Sequence, residues 1–183
     1  VDRIKRAAEL NKADVTIIEI GGTVGEYQNV LFLEAARMMK TETPGDVLVG
    51  LVSYLPIPGN LGEMKTKPTQ YAVRTLNSTG LQPDFIIGRS PAAIDFPRKQ
   101  KIAINCSMQA EDIISAPDVS SIYDVPLNFN REGLCQRIVK KLKLKAKPVD
   151  TTAWEALSKS IHATMKPVRI GIIGKYVSTG DFT

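Results

Sequence analysis

Apolar positions along the chain fall into two kinds of run. VTIIEI (Val15 to Ile20), VLVGLVSY (Val47 to Tyr54) and PDFIIGR (Pro83 to Arg89) are short and nearly continuous, and turn-forming residues bound them. Such runs predict strands buried on both faces, as in a parallel sheet, with a further brief strand at Ile113 to Ser115. Helical spacing marks the stretches between them. Val1, Ile4, Ala7 and Ala8 line one face of a helix that Asn11 closes, and LFLEAARMMK (Leu31 to Lys40) is helical by period and by propensity. Further helices are predicted from KTKPTQ to Thr79 with Gly80 as the stop, at Arg98 to Cys106, and at Gly133 to Leu144, while Asp118 to Asp124 reads as a loop. Alternating strands and helices of this kind predict an α/β fold with a doubly wound, mostly parallel sheet. Composition changes after Leu144. A polar linker (Lys145 to Asp150), a helix around Trp154 capped by Thr151 or Thr152 and ended by Pro167, and a fresh strand from Val168 follow. A strand with nothing after it cannot build a sheet, so three parts are expected: a domain over 1–144, a linker with its helix over 145–167, and the start of another domain over 168–183.

The predicted strand Val15 to Ile20 carries Glu19 near its end and runs into Gly21 and Gly22, with Gly25 three residues on. Ionised glutamate is rarely buried unpaired, so a Lys, an Arg or a metal is expected beside it. The glycines allow a backbone or a ligand to come close, and ligands of open α/β sheets collect at the carboxyl ends of strands. A plain strand and tight turn with a salt-bridged glutamate would use the same residues. Ile20 stands where a first glycine of GxGxxG would be needed and no GxxxxGK[ST] occurs, so neither a Rossmann fingerprint nor a Walker A loop is present.

KTKPTQ (Lys65 to Gln70) opens a helix. Pro68 suits the first helical position, which puts Lys67 at the cap, and a lysine cannot accept hydrogen bonds from the free N–H groups there. Two ammonium groups, the hydroxyls of Thr66 and Thr69 and the positive end of the helix dipole would make a phosphate cradle. An ordinary basic helix start is the competing reading, although lysines there oppose the dipole.

Charge and composition narrow the function classes. A net charge of +5 admits a polyanionic partner, with Arg98, Lys99 and Lys101 in one knot and seven basic residues between Arg131 and Lys147. Aromatic residues are not interleaved with these, which disfavours nucleic acid. No run approaches the roughly 18 apolar residues of a membrane span, and VDRIKRAAEL has neither an initiator Met nor a signal-peptide core, so the start reads as cut. Cys106 and Cys135 have no metal-ligand spacing, which fits packed thiols in a reducing cytoplasm. With His162 as the single histidine, a His-based metal site or a Ser-His-Asp triad is disfavoured, and a surface position is expected for it.

Several segments, in order along nearly the whole chain, resemble the CTP synthase family of glutamine-dependent amidoligases. They are EIGGTVGE (Glu19 to Glu26), FLEA (Phe32 to Ala35), KTKPTQ, QPD (Gln82 to Asp84), RS (Arg89, Ser90), KIA (Lys101 to Ala103), SIY with Pro126 (Ser121 to Tyr123), and GKY (Gly174 to Tyr176). The resemblance implies a P-loop NTPase-like, dethiobiotin synthetase-like amidoligase domain truncated at both ends. It is then the later part of the synthetase domain, followed by the linker and first strand of a glutaminase domain. It also implies a cytoplasmic carbon–nitrogen ligase of pyrimidine biosynthesis that phosphorylates the 4-oxygen of UTP with ATP and displaces phosphate with ammonia from glutamine, as a homotetramer. By the same resemblance Glu19 is a Mg2+ ligand, and Lys65, Thr66, Lys67, Pro68, Thr69, Gln70 and Lys101 bind UTP. Glu26, Tyr27 and Gln28 meet the inhibitor CTP, and Asp118 and Val119 lie near ATP. The chain departs from the family pattern at Gln28, at Pro117 and in the longer loop Leu55 to Met64. The phosphate loop and the glutaminase triad are expected outside this stretch, so no catalytic residue is assigned and no turnover of ATP, UTP and ammonia is expected from the chain alone. A triphosphate-binding module without chemistry, or an amidoligase of the dethiobiotin or cobyrinic acid synthetase type, would share many of these features.

Overall fold

The computed structural model describes residues 1–59, 62–163, 167–171 and 173–174. Three strands, β1 (Gly50–Tyr54), β2 (Phe85–Ser90) and β3 (Ile113–Pro117), form a parallel sheet in the order β1-β2-β3. Leu51 lies beside Ile86 and Ile86 beside Ile113, so these three share one face. Two crossover helices, α3 (Lys67–Asn77) and α4 (Phe96–Cys106), join the strands and pack on each other, α3 against β1 and α4 against β3. Their apolar stripes close the core with Leu55, Ile86, Ile102 and Ile113 fully buried and Val73, Leu76, Leu81 and Ile94 nearly so. Gly88 is required at its place in β2: a side chain there would strike Ile94 and lie 2.9 Å from Leu55.

On the other face Ile114 and Ala116 of β3 are also buried, where α5 (Val125–Arg131) packs on β3 and α6 (Leu134–Lys141) packs on α5. Across β1 the same face is open, with Val52 63% and Tyr54 54% exposed. The parallel α/β class is therefore as the alternation predicts. Among the described strands the order runs in one direction, without the reversal that defines a doubly wound sheet.

Helices agree closely with the spacing: α1 is Asp2–Leu10 with Asn11 as its C-cap, α2 is Val30–Glu42, and α7 is Thr152–His162 with Thr151 as N-cap. The predicted helix Gly133 to Leu144 shortens to α6, and a separate helix not expected from the sequence, α5, precedes it. Inside the predicted loop 118–124, Ile122–Asp124 forms a 3-10 turn.

Strands differ more. Val15 to Ile20 has no regular structure and is not a strand, and Ile17 is 92% exposed. The same holds for the described part of the stretch from Val168, where Val168 and Ile170 are 81% and 83% exposed. A strand exists only when a neighbour accepts its N–H groups, and among the described residues neither stretch has one. Lys175 and Tyr176 of the GKY motif lie outside the described residues. The run Val47 to Tyr54 loses its first three residues: the Asp84 carboxylate accepts from the Val49 N–H at 2.7 Å and the Asp84 N–H donates to the Val49 carbonyl, while Lys40 donates to the Val47 carbonyl at 3.2 Å. Lys40 then closes this junction with a 2.5 Å bond to Asp84.

Candidate functional site

In a parallel sheet the carboxyl ends of all strands share one edge, and here Tyr54, Ser90 and Pro117 mark it. A cavity of about 380 Å3 opens there, lined by Val52, Ser53, Tyr54, Arg89 and Asp118. Its size falls within the range of small-molecule sites, about 300–1,000 Å3. The Arg89 guanidinium donates to Asp118 at 2.9 Å, and the Asp118 N–H donates to the Ser90 carbonyl, which pins the start of the following loop to β2. Val119, the other residue expected beside ATP, is 37% exposed just beyond. Arg89 was visible in the sequence as a charge at a strand end, but its partner was not. A second cavity, about 190 Å3, lies at the opposite, amino edge beside Asp84, Asp112 and Lys141.

The chain leaves β1 at the carboxyl edge, and so KTKPTQ enters α3 from that side. Thr66, not Lys67, is the N-cap, and Pro68 stands second in the helix. The expected cradle is thereby rearranged. Thr66, Thr69 and Gln70 are buried at 4%, 0% and 3%, and their polar atoms are used internally. The Thr66 hydroxyl accepts from the Gln70 amide at 3.2 Å, and Thr69 shares a 2.9 Å hydrogen bond with Ser53 of β1. Neither threonine hydroxyl therefore lies open to a phosphate as the sequence predicted, because two hydroxyls inside the fold need partners there. No side chain caps α3, so its first N–H groups stay uncapped, and Lys67 and Pro68 are exposed above them.

Two basic groups from separate elements meet at this entrance. Glu63 accepts from Lys65 at 2.7 Å, and its carboxyl is held below the ordinary range first by Lys65 and then by Lys101 and Arg98 of α4. Lys65, which pairs with Glu63 directly, and Lys101, which acts on it only through its charge, are the two lysines the resemblance groups together. Arg98 is shared with Asp95, the N-cap of α4. Lys99, the third member of the sequence knot, turns away and pairs with Glu132 at 2.6 Å.

The glycine loop after Glu19 docks on the same helix farther along. Ile20 and Val24 pack against the core, and Gly25, at φ +96, passes Thr75 of α3 so closely that a Cβ would lie 2.7 Å from its methyl group. Thr75 lies eight residues after Lys67, roughly 12 Å along the helix. Glu26 organises the loop itself: it accepts from the Thr23 N–H at 2.9 Å and from the Gln28 amide at 2.6 Å, while Tyr27 is 92% exposed. Glu19 departs from expectation. It is exposed, and among the described residues it makes no ion pair, so water solvates it and the expected buried pairing lapses. No group of three metal-ligating side chains occurs among the described residues. An exposed carboxylate with both oxygens free still fits Mg2+, which keeps several waters and takes one or two carboxylates beside substrate phosphates.

The remaining candidates are structural. Cys106 and Cys135 are free, and burial pushes the Cys106 thiol up. Of the basic stretch after Arg131, Lys141 and Arg137 converge on Asp112 at 2.9 and 3.7 Å. His162 is exposed as expected, yet it is paired with Asp124 at 2.8 Å. No described helix is long and apolar enough to cross a membrane.

A family model described as the CTP synthase N-terminus matches residues 1–144. A CTP synthase of Frankia casuarinae is 42% identical over 181 residues, which is 98% of this chain and 30% of that protein. CTP synthases of Methanococcus maripaludis and Prochlorococcus marinus are 42% and 41% identical over 181 residues, again 98% of this chain and 34% of theirs. The chain thus spans about a third of the length of the curated relatives it matches. With the family model covering most of its length and the likeness extending almost end to end, the chain belongs to the CTP synthase family.

Proposed function

We propose that this chain forms the nucleotide-triphosphate-binding part of a carbon–nitrogen ligase that converts UTP to CTP at the expense of ATP, with ammonia drawn from glutamine. The observation that carries the reading is the uncapped start of α3 at the carboxyl edge of the sheet, with Lys67 exposed on it and Lys65 paired to Glu63 just before it, the positive charge of Lys101 and Arg98 acting on the same carboxylate. A triphosphate is the polyanion that several cations and the uncapped N–H groups of Lys67 and Thr69 would hold, since charge-assisted bonds to phosphate are about twice as strong as neutral ones. Lys65, Lys67 and Lys101 contact the UTP phosphates, and Thr66, Thr69 and Gln70 act behind them by locking α3 to β1. Arg89 and Asp118 flank the cavity that takes the base of ATP. Glu19 supplies one carboxylate to Mg2+, which neutralises phosphate charge when bound. Glu26, Tyr27 and Gln28, on an exposed turn, form the CTP contact. In the whole protein this part works beside a glutaminase domain in a homotetramer of the cytoplasm.

Calorimetric titration of UTP with Mg2+ tests the reading. Binding weakened about tenfold by Lys65→Ala and by Lys101→Ala supports it, at the 1–2 kcal/mol typical of one charged contact. Equal affinity in both variants sinks the phosphate assignment. A stronger response to a diamino monocarboxylic acid or a corrinoid acid than to UTP would favour an amidoligase of the dethiobiotin or cobyrinic acid type.

A further inference from the structure

We propose that α7 is a strap, docked on the Ile122–Asp124 turn by the Tyr123 carbonyl and the Asp124 carboxylate and able to leave it as a unit. Its anchors on the rest of the fold converge on two consecutive residues. The Trp154 indole N–H donates to the Tyr123 carbonyl at 2.5 Å, and the two rings lie 6.2 Å apart at 41°. One turn later the Ser158 hydroxyl donates to Asp124 Oδ1 at 2.5 Å, and after another turn His162 Nε2 meets Asp124 Oδ2 at 2.8 Å. Positions 154, 158 and 162 recur every four residues, so among the described residues one stripe of the helix makes the hydrogen bonds of the attachment. Both carboxylate oxygens are engaged, one each, and the Asp124 side chain is only 16% exposed.

The apolar seat of α7 is partial, with Ile161 half-buried. Ser158 is its one buried residue, while Trp154 and Leu157 are 39% and 40% exposed. A helix held by burial cannot leave without losing many contacts, whereas one held mainly by a few polar bonds to two consecutive residues can undock locally. The connection 142–151 between α6 and α7 has no regular structure and is exposed from 143 to 150, so it keeps a released strap close enough to return. The turn it touches follows Asp118 by a few residues, so the strap holds the far end of the segment that begins in the carboxyl-edge cavity.

The chain's single tryptophan sits in this contact and reports on it directly. In the full chain, Asp124→Ala and the double variant Ser158→Ala with His162→Ala remove the clip from either side, and the double variant leaves the sheet and its core untouched. In both, acrylamide quenching of Trp154 is expected to rise about twofold, as its 39% exposure goes toward full exposure. Amide exchange within 152–162 is expected to accelerate at least tenfold, because a free helix of 11 residues is marginal in water, with the sheet amides unchanged. Lys159→Ala, off the docking stripe, should alter neither. Unchanged quenching and exchange in the double variant would overturn the strap, as would acceleration that spreads to β1, β2 and β3 and so marks α7 as part of one cooperative unit. If Asp124→Ala fails to fold, the double variant decides alone.

Discussion

Glu63 is the residue whose surroundings say most about the site, because it is an acid among cations that a phosphate would need. It already holds Lys65 at 2.7 Å, so on the proposed reading it competes with the triphosphate for that ammonium. Glu63→Gln removes that competitor, and UTP affinity measured by calorimetry should rise about three- to tenfold, most clearly at low salt. Gly25 offers a steric counterpart. At φ +96 and against Thr75, Gly25→Ala should lower stability by about 1–3 kcal/mol in urea denaturation. Adding Thr75→Ala should recover the part of the loss due to the clash and leave the backbone part. Single positions of this kind were half legible in the sequence. KTKPTQ was visible as a basic helix start, but which of its side chains face water depended on Ser53 of β1 claiming the Thr69 hydroxyl.

At the scale of elements, Thr69 joins α3 to β1 through that hydroxyl pair, in a position with no exposure. Thr69→Val keeps the shape and leaves Ser53 without its partner, so chemical denaturation should show a loss of about 1–3 kcal/mol. Replacing Ser53 by Ala as well should restore part of it. The joint between α7 and the Ile122–Asp124 turn responds to acid. Hydrogen bonds from Ser158 and then His162 hold the Asp124 carboxyl below the ordinary aspartate range. A carboxyl whose folded pKa is depressed adds stability above its unfolded value and loses it as pH falls through the folded one. Docking of α7, followed by Trp154 emission, should therefore be unaffected near neutrality as far as Asp124 is concerned. It should fail progressively below about pH 4, where unfolded aspartate begins to titrate. The helices themselves were largely readable, since each hydrogen bond of a helix lies within four residues. α5 escaped because seven residues with Pro126 in the first turn give too little period to detect.

For the molecule as a whole, stability rests on one core on the α3–α4 face and on ion pairs that tie the amino edge of the sheet to outer helices. Leu55→Ala, at a fully buried position, should lower unfolding stability by about 2–5 kcal/mol. Asp112 receives Lys141 and Arg137 of α6 just before β3, and Asp112→Ala should cost about 1–2 kcal/mol, since both cations are about a third exposed and water screens them. Thermal denaturation of the two variants would rank them. What the sequence by itself determined was the helices, the glycine and proline stops, the parallel α/β class and the segments KTKPTQ and EIGGTVGE, because all of these depend on spacing within a few residues. Only the tertiary structure decided the strands and the partners. VTIIEI is as apolar as β2, yet it lies open because a strand needs a ladder supplied from elsewhere. In the same way Lys40 found Asp84 across 44 positions, Lys99 found Glu132 and Asp118 found Arg89, contacts set by how the elements stack and not by any local pattern of residues.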